Sequence, residues 1–144
     1  MSETTGGGMD RMKAISGRYF EAWNAADLDL IERTFAPEFV IHDPSSPMPL
    51  HMGPEGVKGR IVAYRNAIPD LAIDILDRIG EGDKVMTRWR LHGHHNGPFE
   101  GIPGSGHGVS VTGTTLHRIA RDRIVEQWVN WDTETFRRQI GLSA

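Results

Sequence analysis

Apolar residues recur with two different periods along this chain, and the changeover falls near residue 70. Before it the spacing is helical. Met12, Ile15, Tyr19, Phe20 and Trp23 give residues 9–24 one apolar face. Leu28, Ile31 and Phe35 do the same for a short second helix, with Asp27 as its N-cap and Pro37 as its stop. A third helix opens at Gly53-Pro54 and buries Val57, Ile61, Tyr64 and Ile68. After Leu71 the period drops to two. Leu71, Ile73 and Ile75 share one strand face, and Val85, Thr87, Trp89 and Leu91 share another. Strands are expected at 84–93, 110–119 and 123–131, with tight connections at 80–83 and at Arg121-Asp122. A final helix over 133–140 stops at Gly141. A brief strand over 38–43 leads into a proline-rich stretch, 43–52, of which residues 44–52 suit a lid.

Helices first and a meander afterwards predict an α+β fold rather than an alternating α/β one. Three N-terminal helices pack on a curved, mainly antiparallel sheet of about four strands, and a short C-terminal helix follows. Such a sheet curls into a cone with an open interior, where ligands bind in mixed folds. The 144 residues suffice for one domain over 9–144, preceded by a polar, glycine-rich tail over 1–8 expected to be disordered. A net charge of -3 offers no basic field to nucleic acid or to an anionic membrane, so neither is an expected partner. No apolar run is long enough to span a bilayer, and residues 1–10 lack the hydrophobic segment of a secretory signal. The absence of cysteine excludes disulfides, thiolate metal sites and a cysteine nucleophile, and it fits a cytoplasmic protein.

The string Gly93-His94-His95-Asn96-Gly97-Pro98-Phe99-Glu100-Gly101-Ile102-Pro103-Gly104-Ser105-Gly106 resembles the stretch G-T-H-x-G-x-F-x-G-I-P-P-T-G of the SnoaL-like polyketide cyclase family. That family belongs to the nuclear transport factor 2-like superfamily. Tyr19-Phe20-Glu21-Ala22-Trp23-Asn24 is similar to its first helix. Residues 80–85 resemble its hairpin, and Arg123-Ile124-Val125-Glu126-Gln127-Trp128 its last strand. Trp131-Asp132 and Arg138-Gln139-Ile140-Gly141 resemble its C-terminal end, so the likeness spans roughly residues 12–142. This chain departs from the pattern at His94, where Thr is usual, and at Gly104-Ser105, which replaces Pro-Thr. It departs again at His107, where a basic residue is common. The resemblance implies a cone-shaped fold, a homodimer or homotetramer, and neither metal nor organic cofactor. It also implies intramolecular aldol-type ring closure of a small apolar carbonyl substrate. The same fold carries epoxide hydrolases, isomerases and non-catalytic binding proteins, and these remain alternatives.

Carried over by motif, the resemblance makes Asp132 the general base and His117 the donor to the developing enolate. A carboxylate in an apolar pocket loses hydration and becomes a stronger base, and donors aimed at transition-state charge act most strongly there. Asp132 also precedes Thr133 at a helix start, which is the position of an N-cap. A base has a raised pKa and a cap a lowered one. Regular alternation places Trp128 and Asn130 on the face of Asp132, as wall and polar contact. Arg90 and His92 polarise substrate if their face looks inward, and otherwise are solvated or cover a dimer contact. His42, Tyr64 and Tyr19 complete the candidate substrate-binding set, with anchoring or core packing as the plainer use. His92-x-His94, with His95, His51 and His42 in reserve, lacks a third ligand at zinc-like spacing, so no metal site is assigned. An epoxide hydrolase needs a second carboxylate two residues after Arg90, where His92 stands.

Overall fold

The computed structural model describes residues 2–43 and 53–142. The proposed lid and His51 lie outside them. Three helices, α1 (Ser2–Ala25), α2 (Leu28–Thr34) and α3 (Gly53–Ala67), surround the first strand, β1 (Phe35–His42). The meander follows as β2 (Ala72–Glu81), β3 (Lys84–His94), β4 (Gly108–Ala120) and β5 (Arg123–Trp131), and α4 (Thr133–Gln139) closes the order. Helix α1 begins at Ser2, ahead of the start at Met9 that the apolar spacing indicated.

Local chemistry explains most boundaries. The Asp27 carboxylate accepts from the Leu30 amide at 3.1 Å and starts α2. Arg121 and Asp122 both take positive φ, 52° and 62°, the signature of a two-residue turn that matches strand twist. Gly141, at φ 86°, lets the Leu142 amide return to the Arg137 carbonyl at 2.7 Å, which satisfies the end of α4.

The strands form one sheet in the order β1-β5-β4-β3-β2. Four consecutive strands pair antiparallel, while β1 adds to β5 in parallel. The sheet therefore has five strands rather than about four, because the brief strand joins its edge. Pro37 is tolerated there because an edge strand can spare an amide donor. The inner face of the sheet meets α1 and α3 and carries the core. Phe35, Ile31, Ile61, Val85 and Ile124 are wholly buried in it. The outer face is largely open, and its strands carry their polar residues there.

Candidate active site

Which row of each strand faces inward decides the site. On β3 the inward row is Val85, Thr87, Trp89 and Leu91, which decides against the inward alternative for Arg90 and His92. On β4 it includes Val111, Thr115 and His117, and on β5 Gln127 and Val129. Trp128 and Asn130 therefore belong to the outer row, opposite to the expected orientation.

Asp132 follows that outer row. It is exposed and lies beside Arg88, Thr112, Thr114 and Asn130 on a shallow outer hollow. Its Oδ1 accepts the Thr135 amide at 3.0 Å, and its Oδ2 accepts the Thr135 hydroxyl at 2.7 Å. These bonds, from side chain and then backbone, hold its carboxyl below the usual range, with Arg138 adding to the effect. Asp132 thus has the environment of a helix cap. The expectation of a dehydrated carboxylate with a raised pKa is not met, because the chain turns into α4 one residue after Trp131.

His117 is buried and lines neither the inner chamber nor the outer recess described below. Its Nε2–H donates to Gln127 Oε1 at 2.8 Å, which leaves Nδ1 to accept the Ser16 hydroxyl at 2.6 Å. Burial pushes its pKa down to about 4, so the ring is neutral at physiological pH. Both nitrogens are spent inside the protein, and none is left for an enolate. The next inward residue toward the cavity, Thr115, sits on the cavity wall and takes the Trp89 indole N–H at 2.9 Å.

Three further candidates also point away from the interior. His42 stacks on Trp128 with ring centres 4.9 Å apart and 6° between planes, and its Nε2 meets Glu126 at 2.7 Å. Arg90 and His92 converge on Asp74, at 2.8 and 3.2 Å. Their face is the outer one because Trp89 and Leu91 claim the inner positions. His94 pairs with Asp70, and the buried His95 Nδ1 lies 2.9 Å from the Ser105 hydroxyl. Among the described residues no group of three or more His, Asp or Glu is arranged to hold a metal ion.

Tyr19 and Tyr64 do reach the cavity. They line an inner chamber of about 60 Å³ with Phe20, Trp23, Arg60, Ile73, Trp89, Leu91, Thr115, Val129 and Trp131. That volume equals about four to six water-sized spaces. Burial raises the phenol of Tyr64 to about 12, opposed by Arg60, so its hydroxyl stays protonated and can donate. Burial also raises Tyr19, opposed by Trp23 and Gln127. The Trp23 indole nitrogen sits near enough to Tyr19 to influence it, but it has no hydrogen-bond partner of good geometry. The chamber shares Arg60, Tyr64 and Trp131 with an outer recess of about 770 Å³, walled by Phe99 and Phe136 among others.

At this junction lies a pair that the sequence reading missed. Asp43 Oδ2 and Arg60 Nη1 are 2.7 Å apart, with side chains 5% and 32% exposed. Asp43 continues the inward row Phe39, Ile41 of β1, and Arg60 stands one helical turn before Tyr64 on α3. A carboxylate extending an apolar row, and an arginine four residues before an inward aromatic, were the available signals.

No curated protein matches this chain. Solved structures do. A candidate SnoaL-like polyketide cyclase from Jannaschia sp. CCS1 superposes with a TM-score of 0.82 at 26% identity, covering 94% of each chain. IdmH from Streptomyces antibioticus, a candidate polyketide cyclase, gives 0.78 at 29% identity over 90% of this chain and 98% of its own. A protein of ketosteroid isomerase-like fold from Catenulispora acidiphila DSM 44928, solved with trimethylamine, gives 0.72 at 20% identity over 89% and 92%. The last likeness concerns the fold, a nuclear transport factor 2-like cone. The profile of the SnoaL-like polyketide cyclases matches residues 13–140, nearly the whole of the described cone, and the chain therefore belongs to the SnoaL-like polyketide cyclase family.

Proposed function

We propose that this protein closes a ring in an apolar carbonyl compound by intramolecular aldol-type addition, using acid–base groups of the cavity and no cofactor. The observation that carries the reading is an aromatic chamber that shares Arg60, Tyr64 and Trp131 with a roomier recess. An elongated molecule fits such a shape with one end in the chamber and the part that closes on itself in the recess. The apolar wall favours folded over extended substrate, which brings two carbonyl-bearing carbons together and removes much of the entropic part of the barrier. Protonated Tyr64 donates to a carbonyl oxygen, and Tyr19 lines the same chamber. In this reading Asp132 serves as a cap and His117 as a buried tie, so the base is sought on the cavity wall. The protein works in the cytoplasm as a homodimer or homotetramer. No described helix is long and apolar enough to cross a membrane.

The test is incubation with linear poly-β-keto esters or thioesters of graded length, followed by mass spectrometry for a product of unchanged mass and new retention. Absence of conversion at every length defeats the proposal. One observation favours a second reading, a non-catalytic carrier. The inward positions of β5 are Gln127 and Val129, neither of them ionisable at neutral pH. A carrier would bind the same esters, quench tryptophan emission and release them unchanged.

A further inference from the structure

We infer that Asp43 is the proton-transferring residue of the cavity and that Arg60 is its partner in stabilising the enolate. The inference rests on the ring-closure reading and supplies the group that reading lacks. Asp43 is a nearly buried carboxylate lining the recess, and Arg60 lines both recess and chamber, so the pair borders the wall that the two cavities share. Glu100 also lines the recess, but its side chain is 60% exposed and faces Arg137 at 3.8 Å. Asp132 lies on the opposite side of the sheet.

The charge balance suits the step. Asp43 takes a proton from the carbon beside a carbonyl, and the electron pair of that C–H bond becomes the enolate. Negative charge moves from the carboxylate to the enolate oxygen while Arg60 stays beside both. Between them Asp43 and Arg60 keep one negative and one positive charge in balance when the proton moves, so the transfer does not strand the guanidinium charge in a poorly hydrated cavity. A guanidinium has five N–H donors, and the bond to Asp43 engages one of them. The enolate carbon then attacks the second carbonyl, a C–C bond forms, and the new alkoxide recovers the proton from Asp43. No atom is gained or lost.

Proton removal can be observed without ring closure. Benzylacetone in buffered D2O exchanges the hydrogens beside its carbonyl, and NMR follows the loss of signal. Wild type is expected to accelerate exchange, and Asp43→Asn to lose about a hundredfold of that acceleration. Asp132→Asn should retain it within about twofold, since Asn is as good a cap as Asp. Should Asp43→Asn not fold, Arg60→Met carries the test, and exchange must fall there as well. Exchange at the buffer rate in wild type overturns the assignment, and so does undiminished exchange in Asp43→Asn or Arg60→Met. Accelerated exchange without cyclisation of any keto ester would leave Asp43 as the base and defeat the ring-closure reading alone.

Discussion

The two faces of β3 sit in opposite surroundings. Trp89 and Leu91 face inward into a chamber walled by rings, whereas Arg90 and His92 face outward onto Asp74. Neighbouring residues on one strand thus live in different solvents. On the inner face a charge must bring a partner, as Asp43 does with Arg60 and His117 does, in neutral form, with Ser16 and Gln127. On the outer face water does that work, and ion pairs contribute little. The residues whose types suggested chemistry lie mostly on the outer row, while the residues that line the chamber lie on the inner one.

The sharpest way to break this contrast is to truncate adjacent residues. Trp89→Ala should cost about 3–5 kcal/mol, because a large buried ring and its bond to Thr115 are lost together. Arg90→Ala should cost no more than about 0.5 kcal/mol. Urea denaturation of the two variants measures the difference, and equal costs would mean that the outer face is covered in solution.

A pH series reads the inner face through His117. Its folded-state pKa, about 4, lies below the usual 6.5, so the unfolded chain takes up the proton first. Stability should be full above about pH 6.5 and fall by roughly 3 kcal/mol as pH drops toward 4. His117→Gln should flatten that slope. A slope unchanged in the variant would place its origin elsewhere.

Gly113 offers a smaller perturbation of the same wall. A Cβ there would lie 2.6 Å from both Trp131 Cβ and the Trp89 ring. Gly113→Ala should therefore destabilise by about 1–3 kcal/mol through overpacking and should weaken ligand binding more than it unfolds the protein. The smallest effect belongs to the outer face. Asp132→Ala should lower the thermal midpoint slightly by removing a cap, with cyclisation retained. A large loss of turnover in that variant, at unchanged stability, would return Asp132 to the mechanism.

Much of the architecture was legible because it rests on local rules. The change from helical to alternating spacing placed the helices and the meander, Asp27 marked the start of α2, and Gly141 marked the end of α4. On β3 alternation separated the row of Val85, Thr87, Trp89 and Leu91 from that of Arg90 and His92, but which row faces inward came from the packing. Tyr19 and Tyr64 were found as aromatics on inward helix stripes. On β5 both rows mix apolar and polar residues, Gln127 and Val129 against Trp128 and Asn130, and alternation cannot say which is inside. A register irregularity between Arg118 and Ile119, opposite the start of β5, shifts the pairing further.

Local pattern therefore carried the elements, their caps and their turns, since these depend on neighbours within a few residues. Packing of distant segments chose the partners. Ser16 and His117 are 101 positions apart, and Asp43 and Arg60 are joined across a strand and a helix. Burial and hydrogen bonding set what an ionisable side chain can do, and both belong to groups brought together from elsewhere in the chain. For that reason the family and fold could be read from the string of residues, while the pairing of Asp43 with Arg60 could not.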